Sequence, residues 1–176
     1  RPIEQATISY GHGVTVSLLQ LVRAYTAIAR DGDVIDLTLY KRPEGEVVKG
    51  EPVFKPETAR SIRAMMMNTV RRGGTASIVK VAGYTVAGKT GTANKVKNGR
   101  YVTVASFVGI IPATRPRFVI AVMIDEAKRG MHFGGKAAGP VFNEVAAGAL
   151  RTMMVSPDFD VAAQEALKEQ KRGTRG

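Results

Sequence analysis

Residues 84–125 read YTVAGKTGTANKVKNGRYVTVASFVGIIPATRPRFVIAVMID, and their punctuation decides the fold. Residues 84–93 form an apolar run with internal glycines, the pattern of a strand that another backbone approaches closely. Asn98-Gly99 is a strong hairpin signal, because a two-residue type I′ turn needs positive φ at both positions. Residues 101–111 continue as a second strand, which Pro112 ends. Pro116-Arg117 lead into a third strand over 118–125. Three successive strands joined by short turns imply an antiparallel sheet.

Working upstream, residues 15–30 carry Leu18, Leu21, Val22, Tyr25, Ile28 and Ala29 at helical spacing, and Asp31-Gly32 supplies the stop. Residues 34–40 alternate as a strand does, Pro43-Glu44-Gly45 marks a turn, and Val47-Val48 is the expected return strand. Pro56 suits the first position of a helix that runs to about Arg71 and stops at Gly73-Gly74. Its Met65-Met66-Met67 run reads as core filling. Downstream, a glycine-rich loop is expected over 130–139, and Pro140 is expected to open a helix to about Met154. Helices before and after the strands give an α+β domain with helices packed on the sheet. The expected boundaries are a domain over residues 1–155 and a basic, flexible tail over 156–176.

Composition narrows the chemistry. Of 176 residues, 44% are hydrophobic, enough for a real core. The absence of cysteine excludes a disulfide framework and a thiolate zinc site, and with two histidines no metal or cofactor is expected. The longest apolar runs, residues 104–113 and 118–124, are too short to span a bilayer. The formal net charge of +11 favours anionic partners. The basic residues are scattered rather than gathered on a recognition helix, so nucleic acid is not the expected partner.

The residues that carry chemistry are Lys89-Thr90-Gly91-Thr92. Alone, four common residues say little. Flanking glycines and a position on the first strand of a hairpin add weight, because an extended ligand can lie along such a strand and use its backbone groups. Further segments share the pattern. Ile8-Ser9-Tyr10-Gly11-His12-Gly13 with the helix after it, Ala87–Ala93, Phe107-Val108-Gly109 with Pro112-Ala113, and Phe133-Gly134-Gly135 with Ala138-Gly139-Pro140-Val141-Phe142 together resemble the C-terminal part of the transpeptidase domain of high-molecular-weight class B penicillin-binding proteins. The last group resembles the division-specific, septal members. The likeness runs from Ile8 to Met154.

That resemblance implies the penicillin-binding/serine β-lactamase-like fold and acyl transfer through a serine ester, with peptidoglycan stem peptides ending in D-Ala-D-Ala as substrates and β-lactams as covalent inhibitors. It implies that Lys89 supplies positive charge and assists proton transfer. It also implies that the Thr92 N–H serves the oxyanion hole, and that the Thr90 and Thr92 hydroxyls hold the substrate carboxylate. Gly91 would let substrate approach, and Phe133 would line the pocket. It further implies a periplasmic domain anchored in the inner membrane by an N-terminal segment, working with division-complex membrane proteins.

The nucleophile of the family is a serine three residues before a lysine, with a Ser-x-Asn triplet following. Ser77-Ile78-Val79-Lys80 is the chain's single Ser-x-x-Lys match, and no Ser-x-Asn occurs. Ser77 lies too close to Lys89 to be that nucleophile and is expected in a connecting turn. Both missing motifs are expected on a preceding N-terminal part of the same protein. Alone, the chain is expected to be inert and poorly folded, with an open strand edge at 118–125. His12 reads as structural, His132 as a loop residue at the pocket mouth, and Asp125-Glu126 as surface charges, since neighbours on a strand point apart. Two other readings compete. A D-Ala-D-Ala carboxypeptidase or β-lactamase shares the fold, and a pseudo-enzyme scaffold would keep it without the chemistry.

Overall fold

A computed structural model describes residues 6, 8, 14–127 and 133–159. Helix α1 (Leu18–Ala29) begins at Ser17, whose hydroxyl accepts from the Gln20 N–H while the Gln20 side chain accepts from the Ser17 N–H. This reciprocal cap fixes the start three residues inside the expected one. The second helix, α2 (Pro56–Met67), has Pro56 in its first turn and runs into a 3₁₀ turn over Asn68–Val70. Of its methionine run only Met66 is buried, and Met65 is exposed. Arg63 on α2 is buried. It donates to the Ile28 carbonyl at 2.6 Å and lies 2.9 Å from Asp31, fastening α2 to the end of α1.

Between the helices lies a correction. Only β1 (Asp33–Val34) and β2 (Glu51–Pro52) pair, as Asp33 with Pro52 and Val34 with Glu51. Residues 35–40 form no strand, and Val47-Val48 is not their partner. Ile35 and Leu37 do face inward, into a cleft of about 350 Å³ shared with Val22 of α1 and with Phe118 and Val119. The alternation in the sequence marks which side is buried rather than a hydrogen-bonded partner. Leu39 and Tyr40 are left almost wholly exposed.

The central sheet follows the expected order. β3 (Ala87–Lys97) pairs with β4 (Arg100–Ile111), and β4 with β5 (Phe118–Ile124), all antiparallel. Asn98 (φ 50°) and Gly99 (φ 71°) make the turn between β3 and β4 with positive φ at both positions. Helices cover both faces. On one, Ile110, Ala87 and Met66 pack with Tyr25, Ile28 and Ile62 of α1 and α2. On the other, Phe107, Ile111 and Val122 pack with Ala138, Phe142, Ala146 and Leu150 of the last helix, α3 (Gly134–Thr152). Phe107 and Phe142 meet edge to face at 4.9 Å. That pair needs glycine on both strands: a Cβ at Gly88 would lie 2.2 Å from Phe107, and one at Gly109 would lie 2.5 Å from Phe142.

A second correction concerns α3. It starts at Gly134 rather than Pro140, which sits inside it. Gly134, Gly135, Ala137, Ala138 and Gly139 are all buried. Close packing of these small residues outweighs the lost proline hydrogen bond, and Lys136, whose carbonyl loses it, is exposed to water. Residues 130–132 of the expected loop, with His132, lie outside the described residues, as does His12.

After α3 the chain remains attached. Asp158 accepts from the Thr85 N–H at 2.8 Å and from the hydroxyls of Thr85 and Thr114, while the Tyr84 hydroxyl donates to the Val155 carbonyl at 2.6 Å. Burial raises the Asp158 carboxyl, but the hydrogen bonds from Thr114 and Thr85 together outweigh it and hold it below the usual range. A carboxyl lowered by folding stabilises fully above its unfolded pKa of about 4, and that contribution disappears as pH falls through the folded value. Asp158→Asn removes the charge and keeps the shape. In the complete protein it should lower the melting temperature by a few degrees at pH 7 and leave the two proteins closer below about pH 4. An equal gap at both pH values, read from melting curves, would show that the charge of Asp158 is idle.

Candidate active site

The four residues singled out from the sequence sit on β3, which among the described residues pairs with β4 alone. Among the described residues no strand pairs with its other edge, which is open beyond the point where Thr69 meets Gly88. Side chains alternate along it. Thr90 stands opposite Phe107 and Gly91 opposite Ser106. Gly88, Thr90 and Thr92 thus share the α3 face, and Lys89 and Gly91 share the other. Backbone groups alternate as well. The Gly88 carbonyl accepts from the Thr69 hydroxyl at 2.8 Å, and the Thr90 carbonyl accepts from the Lys89 ammonium at 2.7 Å. The odd-numbered residues face β4, as the Thr85 carbonyl does in accepting from the Ala113 N–H at 2.9 Å, so the N–H and C=O groups of residues 88, 90 and 92 point to the other edge.

The hydroxyls are held from behind. The Gly134 N–H, at the amino end of α3, donates to Thr92 Oγ1 at 3.2 Å. The Thr90 and Thr75 hydroxyls lie 3.3 Å apart, within hydrogen-bond reach of each other. Lys89 and Thr92 are exposed, and Thr90 and Gly91 are half-buried. Gly91 is closely neighboured. A Cβ there would lie 2.5 Å from Ser106 Oγ, and Gly134 rests against its backbone. Phe133 caps α3 immediately before that contact. It is 55% exposed, and the Lys136 ammonium lies 5.9 Å from its ring centroid. The structure therefore gathers Lys89, Thr90, Gly91, Thr92 and Phe133 at one end of the domain, with a helix amino terminus adding positive potential. An ammonium, two hydroxyls and outward N–H groups suit an extended, oxygen-rich anion.

Several candidates fall elsewhere. Ser77 is exposed in a run of turns, between buried Ala76 and Val79, with the Lys80 N–H bound to Asn143. Asp125 pairs with Lys95 at 2.6 Å, and Glu126 pairs with Lys97. The hydrogen bond from Lys95 holds the Asp125 carboxyl low, and Glu126 holds the Lys97 ammonium high. These pairs tie the far end of β3 to the turn after β5. Among the described residues no three His, Asp or Glu side chains gather as metal ligands would.

A family profile described as the penicillin binding protein transpeptidase domain matches residues 1–147. The chain belongs to this family. It is 44% identical over 166 residues to a probable peptidoglycan D,D-transpeptidase PenA of Neisseria gonorrhoeae, covering 93% of this chain and 28% of that protein. It is 39% identical over 159 residues to the peptidoglycan D,D-transpeptidase FtsI of Escherichia coli K12, covering 89% of this chain and 27% of that protein. The apo structure of the TP domain from Burkholderia pseudomallei penicillin-binding protein 3 superposes with a TM-score of 0.82 at 46% identity, covering 91% of this chain and 49% of that one. The chain thus spans less than a third of these two curated relatives and about half of a solved transpeptidase domain.

Two contributors escaped the sequence reading, Thr75 and the start of α3 at Gly134. The signal for the second was present as two glycines, Gly134-Gly135, in chain with a residue expected at the pocket. A Cβ at Gly134 would lie 2.3 Å from the Ser106 carbonyl and 2.5 Å from that of Gly91. A Cβ at Gly148, on the same helix, meets nothing within 4 Å. Gly134→Ala should therefore cost about 1–3 kcal/mol by overpacking. Gly148→Ala should be neutral or stabilising by up to about 1 kcal/mol. Chemical denaturation of both variants, with equal cost in each, would refute the contact as the cause.

Proposed function

We propose that this chain is the carboxylate- and oxyanion-binding part of a peptidoglycan D,D-transpeptidase that cross-links stem peptides at the division septum. One observation carries the reading: the Lys89-Thr90-Gly91-Thr92 strand lies on an open sheet edge, with its hydroxyls backed and its even-numbered N–H groups turned outward. A stem peptide lies antiparallel to that edge, as an added strand does. Its terminal carboxylate takes the Thr90 and Thr92 hydroxyls and the field of Lys89 and α3.

The serine comes from a preceding part of the same protein, and so does its Ser-x-Asn partner. Its oxygen attacks the penultimate D-Ala carbonyl and gives up its proton, and the carbonyl oxygen becomes an oxyanion that the Thr92 N–H helps to hold. Collapse expels the terminal D-Ala, which takes a proton, and leaves a serine ester. The amine of a second stem peptide then attacks the ester, forming the cross-link and freeing the serine. A β-lactam follows the first step alone. Lys89 holds charge beside the carboxylate and assists proton movement through the serine of the triplet. Phe133 covers the apolar side of the ligand. Among the described residues no helix is long and apolar enough to cross a membrane. We place the domain on the periplasmic face of the inner membrane, held by an N-terminal anchor beside division-complex membrane proteins.

The test is Lys89→Ala in the complete protein. Acylation by a fluorescent penicillin should fall by about 10²–10⁴-fold, the usual span of positioned acid–base groups, with the melting temperature little changed. Unchanged acylation would remove Lys89 from the mechanism.

A further inference from the structure

The loop after α2 touches the motif strand at a residue that the proposed chemistry does not use. Thr75 Oγ1 lies 3.3 Å from Thr90 Oγ1. The loop is anchored on three sides. The Ala76 N–H donates to the Thr69 carbonyl at 2.9 Å. Thr69 in turn donates its hydroxyl to the Gly88 carbonyl of β3. Gly135 of α3 comes so close that a Cβ there would lie 2.4 Å from the Thr75 carbonyl. Thr75 is exposed, so its hydroxyl is not needed to satisfy the core.

We propose that Thr75 is a positioning residue for the anion-binding hydroxyl of Thr90, acting by donating its own hydroxyl to the Thr90 oxygen when ligand binds. A hydroxyl has one proton to donate and two lone pairs to accept with. The two hydroxyls lie within hydrogen-bond reach at 3.3 Å, and either can donate. To hold a carboxylate, Thr90 must turn its proton to the ligand. Its oxygen is then free to accept from Thr75. No proton changes owner, since hydroxyl rotors only turn. Donation by Thr75 polarises the Thr90 hydroxyl and strengthens its bond to the anion. Thr92 already has the equivalent support, because its oxygen accepts from the Gly134 N–H and its proton stays available. Thr75 is thus to Thr90 what the amino end of α3 is to Thr92.

The inference rests on the proposed role of Thr90, and the experiment separates the two. Acylation of the complete protein is measured with benzylpenicillin and with its methyl ester, which lacks the carboxylate, for Thr75→Val, Thr75→Ser, Thr90→Val and the double Val variant. Thr75→Val should slow acylation by the acid about threefold to tenfold, the range of one hydrogen bond, and leave the ester's rate nearly unchanged. Thr75→Ser should restore the acid's rate. The double variant should be no slower than Thr90→Val, because Thr75 acts through Thr90. Equal slowing of acid and ester, failure of serine to rescue, or additive losses would overturn the role of Thr75. No effect of Thr90→Val on the acid would overturn the assignment of Thr90 itself. Melting temperatures within a few degrees of the parent confirm that folding is not what changes.

Discussion

The amino end of α3 rests on the bare backbone of β3, and the rest of the arrangement depends on that contact. Gly134 sits over Gly91 and Ser106 with no room for a methyl group. Two helical turns on, Phe142 crosses Phe107 beneath it, in space left by Gly88 and Gly109. Glycine at four positions is costly in elements of this kind. The return is a helix whose first N–H reaches a strand hydroxyl directly. The same contact fixes the face of β3 that carries Thr90 and Thr92 and presses the Thr75 carbonyl against Gly135. Structure and proposed chemistry therefore share one constraint.

Around that contact the domain is tied at its other end by polar groups. Asp158 collects donors from Thr85 and Thr114 just where the chain enters β3 and leaves β4. Arg63 and Asp31 join α1 to α2, with burial raising the Asp31 carboxyl and the bonds from Arg60 and Arg63 bringing it below its usual range. Asp158 thus holds the start of the motif strand, and the Arg63–Asp31 pair joins the two helices that pack on one face of the sheet.

The hairpin was legible because Asn98-Gly99 states its turn chemistry locally, and α1 because its apolar spacing reports one buried face. The expected strand over 34–40 failed for a physical reason: Ile35 and Leu37 are half-buried, lining a cleft with α1 and β5, and side-chain burial alternates with or without a hydrogen-bonded neighbour. Pro140 misled because a proline inside a helix is unfavourable on local grounds, and only the distant register of Gly134 on Gly91 overrides that. Lys89, Thr90, Gly91 and Thr92 could be named from a short motif and its resemblance. The supports behind them could not. Thr75 and Asp158 act across 15 and 73 residues of sequence, and nothing in their immediate neighbours announces the pairing.

The central claim is that the two threonine hydroxyls and the outward Thr92 N–H together bind the reacting ligand. A crystal structure of the complete protein acylated by benzylpenicillin tests it most directly. The account predicts the ligand carboxylate at about 2.5–3.0 Å from both Thr90 Oγ1 and Thr92 Oγ1, with the former lactam carbonyl oxygen accepting from the Thr92 N–H. A carboxylate held elsewhere, with neither hydroxyl in reach and the acyl oxygen turned away from β3, would contradict it.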